Sequence, residues 1–97
     1  MHIISRKALV EFWDVHEVAK GPLSNWYKVV VESDFLTFSG VRRTFNSADQ
    51  VHGFVVFNVN SNRIITAIHY NRSKVYIRHV LTHSEYEQWT KAMRGSK

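Results

Sequence analysis

Arg63 and Arg78 stand in two neighbouring strand-like runs, and His83 and Tyr86 follow the second run where a helix begins. These residue types suit one demanding reaction. Cleaving RNA without a metal ion needs a base to activate the 2′-hydroxyl, cations to hold the charge of the crowded phosphate, and an acid to protonate the departing 5′-oxygen. Arginine supplies permanently charged, bidentate contacts to phosphate oxygens. Histidine serves as base or acid near neutrality, which makes His83 the candidate for proton transfer. Tyr86, one helical turn on, can hydrogen-bond the phosphate or stack on a base. DNA lacks the 2′-hydroxyl that such a mechanism uses as its nucleophile. Each residue also has a plainer reading: Arg63 as a solvated charge opening a strand, His83 as a helix-end histidine bonded to backbone, Tyr86 as part of a helix core stripe. Arg78, mid-strand between apolar neighbours, needs a partner to justify partial burial.

The surrounding charge fits a polyanionic partner. From Arg63 to Tyr86 the chain carries four Lys/Arg and three His, and its only carboxylate is Glu85. Residues 1 to 50 balance six basic against six acidic side chains, so the net charge of +5 lies entirely after residue 50. Such asymmetry points to nucleic acid or an anionic membrane. No apolar run approaches the roughly 20 residues that span a bilayer, and the basic residues lie on strand-like sequence, so nucleic acid is preferred. Arg42, Arg43, His69, Arg72 and Lys74 are further candidates for RNA contact. His79 and His83 have a spacing that binds metal on a helix, but on a strand they need not converge and no acid or cysteine completes a set. No metal or cofactor is expected.

The 97 residues, 44% of them hydrophobic, suffice for one modest core, so a single domain over 1–97 is expected. The start shows no signal-peptide pattern, and a cytoplasmic protein is expected. With no cysteine, disulfides and thiolate catalysis are excluded. Met1–Ile4 reads as a first strand, and Ser5 as the cap of a helix with Leu9, Phe12, Trp13 and His16 on one stripe. Gly21-Pro22 opens a second helix with Leu23, Trp26, Tyr27 and Val30 inward. Ser33 to Asp49 reads as irregular, with a short helix near Val41–Phe45. From Val51 the period becomes two, through one strand to a hairpin turn at Asn60-Ser61-Asn62, then two more strands separated by Asn71-Arg72-Ser73. Alternation puts Lys74, Tyr76, Arg78 and Val80 on one face of the last strand, and Val75, Ile77, His79 and Leu81 on the other. Thr82 and Glu85 have the spacing of a capping box, followed by the helical stripe Tyr86, Trp89, Thr90 and Met93. The class is α+β: a small antiparallel sheet with two N-terminal helices packed on it and a short C-terminal helix.

Several strings, in order, resemble the HigB-type mRNA interferases of bacterial toxin–antitoxin modules, within the RelE-like toxin superfamily. They are MHIISRKALVEFW, PLSNWYKVV, TFNSAD, VVFNV followed by Arg63, and VYIRHVLTHSEYEQW, and they cover nearly the whole chain. The resemblance implies a RelE-like fold and a toxin that cleaves mRNA, typically on the translating ribosome. It also implies a cognate helix-turn-helix antitoxin of the HigA type. By position, Arg63, Arg78, His83 and Tyr86 match the family's arginine after FNV, its YIR string and its TH-x-x-Y string. Where relatives often carry a lysine and, two residues on, an aspartate, this chain has Ala67 and His69, so either His69 takes the lysine's place at the phosphate or activity is weaker than is usual in the family. The alternatives are a non-catalytic module that binds RNA or antitoxin, and a relative that poisons DNA gyrase.

Overall fold

Two apolar helical stripes and a run of alternating strands assemble around one sheet. The computed structural model describes residues 1–95. In chain order the elements are β1 (His2–Ile4), α1 (Arg6–Val15), α2 (Lys20–Glu32), α3 (Phe38–Thr44), β2 (Asp49–Val51), β3 (Phe54–Val59), β4 (Asn62–His69), β5 (Lys74–Leu81) and α4 (His83–Gly95). Single 3₁₀ turns precede α2 and β5. The sheet order is β1-β5-β4-β3-β2; β1 runs parallel to β5 and every other pair is antiparallel. This is the expected α+β architecture, with the opening strand joined to the sheet.

One sheet face carries Val55, Phe57, Ile64, Val75 and Ile77, and it buries the α1 stripe (Leu9, Phe12, Trp13) and the α2 stripe (Leu23, Trp26, Val30). Edge-to-face rings run through this core, Trp26 to Phe57 at 5.2 Å and Phe57 to Phe45 at 5.1 Å between centroids. Thr66 is the polar residue in this interior, and its hydroxyl donates to the Val55 carbonyl at 2.8 Å. The opposite face carries Phe54, Val56, Arg63 and Ile65, and α4 lies across it through Tyr86, Trp89, Thr90 and Met93, all half-buried. None of the α4 residues is fully buried. This second layer is therefore thin, and polar groups remain exposed along it.

Local details differ from the sequence reading in five places. Ser5 precedes α1 but does not cap it: its backbone is left-handed (φ 76°) and its side chain makes no cap bond. The third helix begins at Phe38, with Thr37 accepting from the Gly40 amide, several residues before the expected Val41. The strand expected to run from Val51 is two strands, split by a hairpin at His52-Gly53, where φ is 51° and 84°. The next turn is Asn60-Ser61, also with positive φ at both positions, so it spans two residues and pairs Val59 with Asn62. Two-residue turns of this kind match the twist of the strands they join. Last, β5 contains a bulge: Thr66 pairs with Ile77 and Ile65 with His79, leaving Arg78 as the extra residue. Alternation inverts there, so His79 and Leu81 lie on the α4 face and Val80 turns to the α1 side.

The capping box at α4 forms as expected: the Thr82 amide donates to Glu85 Oε1 at 2.9 Å and the Glu85 amide to Thr82 Oγ1 at 3.2 Å. It sets where the helix starts and hence where His83 stands. Thr82→Ala is expected to lower stability by about 1 kcal/mol, measured by denaturant unfolding. An unchanged midpoint would mean the box contributes nothing in solution. Among the described residues no helix is long and apolar enough to cross a membrane.

Candidate active site

Arg63 is the second residue of β4, where the ladder places it between Asn58 on β3 and Leu81 on β5. Two residues beyond Leu81, α4 begins at His83. The sheet register and the capping box together therefore bring Arg63 and the first turn of α4 to the same end of the same face. Arg63 Nη1 donates to Asn58 Oδ1 at 2.8 Å, and Nη2 lies 3.4 Å from His83 Nδ1. The Arg63 Cζ sits 5.3 Å from the centre of the Tyr86 ring, a cation–π geometry. His83 Nε2 approaches Glu87 Oε1 at 2.8 Å, one helical turn on. Three of the four residues expected to be catalytic thus form one contiguous cluster.

The electrostatics of the cluster favour an incoming anion. Among the described residues the ion pairs are Lys7–Glu11 and His83–Glu87, so no carboxylate neutralises Arg63. Neutral acceptors and an aromatic ring hold its guanidinium in place instead. The group is oriented and half-buried but retains its full charge, and a phosphate can displace weak partners to reach its fork. Tyr86 stacks at 5.9 Å on Trp89, which also meets Phe54, His52 and His79 edge-on or tilted at 5.9, 6.2 and 6.4 Å. A half-exposed aromatic row therefore leads away from the guanidinium across the sheet. Bases of a single strand stack on such surfaces.

Arg78 lies apart. It occupies the bulge, three strand residues before Leu81 and so about 10 Å along β5 from the level of Arg63. There it lines a groove with Glu11, Phe12 and His16 of α1 and with Glu85 of α4. The hydrogen bonds and ring contacts that link Arg63, His83 and Tyr86 do not include it. The candidates for RNA contact are dispersed as well. His69, packed edge-on against Tyr76 at 5.0 Å, is six residues along β4 from Arg63, about 20 Å at strand rise. Lys74 pairs with His69 at that far end, and Arg72 lies in the adjacent turn. Arg42 and Arg43 are exposed on the last turn of α3. Among the described residues, no three His, Asp or Glu side chains gather as a metal-binding group.

Two members of the cluster escape sequence reasoning. Asn58 faces Arg63 because the hairpin turn spans two residues; a three-residue turn would set Val59 there instead. Glu87 is four residues after His83 on a helix, a spacing legible in principle once the helix start is known.

An α+β domain that presents an oriented arginine, without an ion pair among the described residues, beside imidazole and phenol groups at one end of its sheet has the makings of a small basic protein acting on RNA. Comparison with known families agrees. Residues 19–89 match the family model HigB_toxin, described as the RelE-like toxic component of a toxin–antitoxin system. The chain belongs to this family, and it has an antitoxin as its partner. Among its relatives it is similar to the mRNA interferase HigB of Escherichia coli O6:H1, 28% identical over 100% of this chain and 99% of the relative. It is also similar to the mRNA interferase toxin HigB of Escherichia coli K12 and the mRNA interferase HigB of Shigella flexneri. Both are 29% identical, over 97% of this chain and 95% of theirs.

Proposed function

We propose that this toxin is an endoribonuclease that cleaves mRNA, and that Arg63, His83 and Tyr86 form its reaction centre without a metal ion. The relatives' printed activity and the family's toxic role support the reaction class. The observation that carries the assignment is the unpaired Arg63 guanidinium held 3.4 Å from His83 and over Tyr86. Arg63 binds the non-bridging oxygens of the scissile phosphate and stabilises the charge that builds there. His83 accepts the proton of the 2′-hydroxyl, and Tyr86 supports the adjacent base or the phosphate. The domain works in the cytoplasm on mRNA held by the translating ribosome, and a HigA-type helix-turn-helix antitoxin neutralises it.

Arg78 takes a flanking role in this reading. Its distance from the cluster suits a neighbouring phosphate of the same strand, and bulges often redirect a side chain beside an active site. Arg78→Ala is expected to weaken RNA binding while leaving the rate at saturation nearly unchanged, and to reduce the salt dependence of binding by about one phosphate contact. Loss of the saturated rate instead would move Arg78 into the reaction centre.

Expression of the chain without an antitoxin tests the function as a whole. Growth arrest with new mRNA ends inside coding regions is expected, with plasmid supercoiling unaffected. Normal growth with intact transcripts would leave only a binding role, and altered supercoiling with intact transcripts would point to gyrase.

A further inference from the structure

The His83–Glu87 contact contributes little to holding the fold together. Both side chains are more than half exposed, 60% and 55%, and an exposed pair of this kind adds little stability. Its geometry at the imidazole is more informative. Glu87 Oε1 lies 2.8 Å from Nε2, while Arg63 Nη2 lies 3.4 Å from Nδ1. A guanidinium has only donors, and a carboxylate only acceptors. Both contacts are satisfied together when Nε2 carries the hydrogen and Nδ1 holds a lone pair. Among the described residues, the hydrogen bonds and ion pairs of His83 go to these two groups, Arg63 on β4 and Glu87 on its own helix.

We propose that Glu87 is the positioning residue of the reaction: it holds His83 as the Nε2–H tautomer, so that Nδ1, on the Arg63 side, is the nitrogen that takes the proton. The inference rests on the nuclease reading of this cluster. When a phosphate draws the Arg63 guanidinium away, the Nδ1 lone pair is released beside the phosphate, where the 2′-hydroxyl must lie. The 2′-hydroxyl proton passes to Nδ1, the 2′-oxygen bonds to phosphorus, and the bond from phosphorus to the 5′-oxygen breaks. The 5′-oxygen takes a proton from water, and the hydroxide so formed takes back the proton held on Nδ1, leaving a 2′,3′-cyclic phosphate, a 5′-hydroxyl and a neutral imidazole. The imidazolium formed in between has Glu87 hydrogen-bonded to its far side. A carboxylate that fixes a tautomer and steadies an imidazolium plays the same part in serine hydrolase triads. Arg63 thereby has two states, guarding Nδ1 in the free protein and clamping phosphate in the complex.

The test combines nitrogen-15 spectra of the neutral imidazole with cleavage kinetics on Glu87→Ala and Glu87→Gln. In the wild-type protein His83 is expected as the Nε2–H form, and Glu87→Ala should give a mixture of tautomers. Cleavage by Glu87→Ala should fall in kcat roughly tenfold to a hundredfold with KM unchanged, the range seen when the carboxylate partner of a metal-bound histidine is removed. Glu87→Gln keeps an acceptor oxygen but no charge, so its tautomer should persist and its loss should be intermediate. Melting temperatures of both variants should match the wild type. A wild-type Nδ1–H tautomer overturns the proposal, as does an Nε2–H form that survives in Glu87→Ala or a Glu87→Ala toxin that cleaves at full rate. If the wild-type protein cleaves no RNA, the nuclease reading falls, and the spectra alone decide whether Glu87 orients His83.

Discussion

Arg63→Ala is expected to lower mRNA cleavage by two to three orders of magnitude, the scale at which one donor to a developing charge contributes about 2.7–4 kcal/mol. The expectation follows from what surrounds the guanidinium. Its partners are Asn58, the imidazole of His83 and the face of Tyr86, none of which carries a fixed negative charge. Removing it takes away the cluster's one permanent cation and no salt bridge. Stability should therefore change little, because an exposed hydrogen bond and one cation–π contact are each worth on the order of 1 kcal/mol or less. Arg63→Lys keeps a charge but loses the planar fork, and should recover only part of the rate. Single-turnover cleavage beside a melting curve separates the two effects. A well-folded Arg63→Ala protein that cleaves at the wild-type rate would remove the centre from this face.

The largest expected effect on folding lies on the other side of the sheet. Trp26 is 1% exposed and meets Phe57 edge-on, bridging α2 to β3. Trp26→Ala deletes the largest fully buried side chain and is expected to cost about 3–5 kcal/mol. Small domains hold only about 5–15 kcal/mol in all, so much of this protein should then be unfolded at growth temperature. Denaturant titration should show a lower midpoint with an unchanged slope. A loss under about 1 kcal/mol would mean that α2 does not pack on the sheet as described. Trp26→Phe should cost far less: it keeps an aromatic ring against Phe57 and removes an indole N–H that has no hydrogen-bond partner. Because Trp26 and Arg63 lie on opposite faces, the two alanine variants separate folding from chemistry.

The amphipathic elements were readable from the residues because a single burial pattern governs each. Leu9, Phe12 and Trp13 of α1, and Leu23, Trp26 and Val30 of α2, face the core as their spacing requires. Thr82 and Glu85 close the α4 start through bonds that only that spacing allows. The errors fall where one residue changes the register. Counting Asn60-Ser61-Asn62 as the turn conceals the Asn58–Arg63 pair, and reading strict alternation through β5 conceals the bulge at Arg78. Neither is a matter of residue type: a bulge inserts a residue without a compositional signal, and a turn's length depends on backbone angles that Asn and Ser adopt in several ways. The His52-Gly53 hairpin carried a glycine as its signal, but Val51 to Val59 also satisfies a single strand.

The same contrast holds at the site. Arg63, His83 and Tyr86 could be picked out because their residue types suit phosphate binding and proton transfer, and the fold brings them into contact. Strand position and the YIR string both place Arg78 with them, yet the bulge sets it in the groove beside α1. His69, Arg72 and Lys74 share the basic charge of the segment but lie at the far end of β4 and β5. Net charge describes attraction to a polyanion over the whole surface, whereas cleavage depends on groups within a few ångströms of one phosphate. Sequence composition speaks to the first and register to the second.

The most direct measurement is the chemistry of the ends left on an mRNA after incubation of translating ribosomes with the purified toxin, wild type beside Arg63→Ala. Fragments ending in a 2′,3′-cyclic phosphate and beginning with a 5′-hydroxyl are expected from the wild type and should be nearly absent with the variant. Intact mRNA, or fragments with a 3′-hydroxyl and a 5′-phosphate, would rule out attack by the 2′-hydroxyl at Arg63.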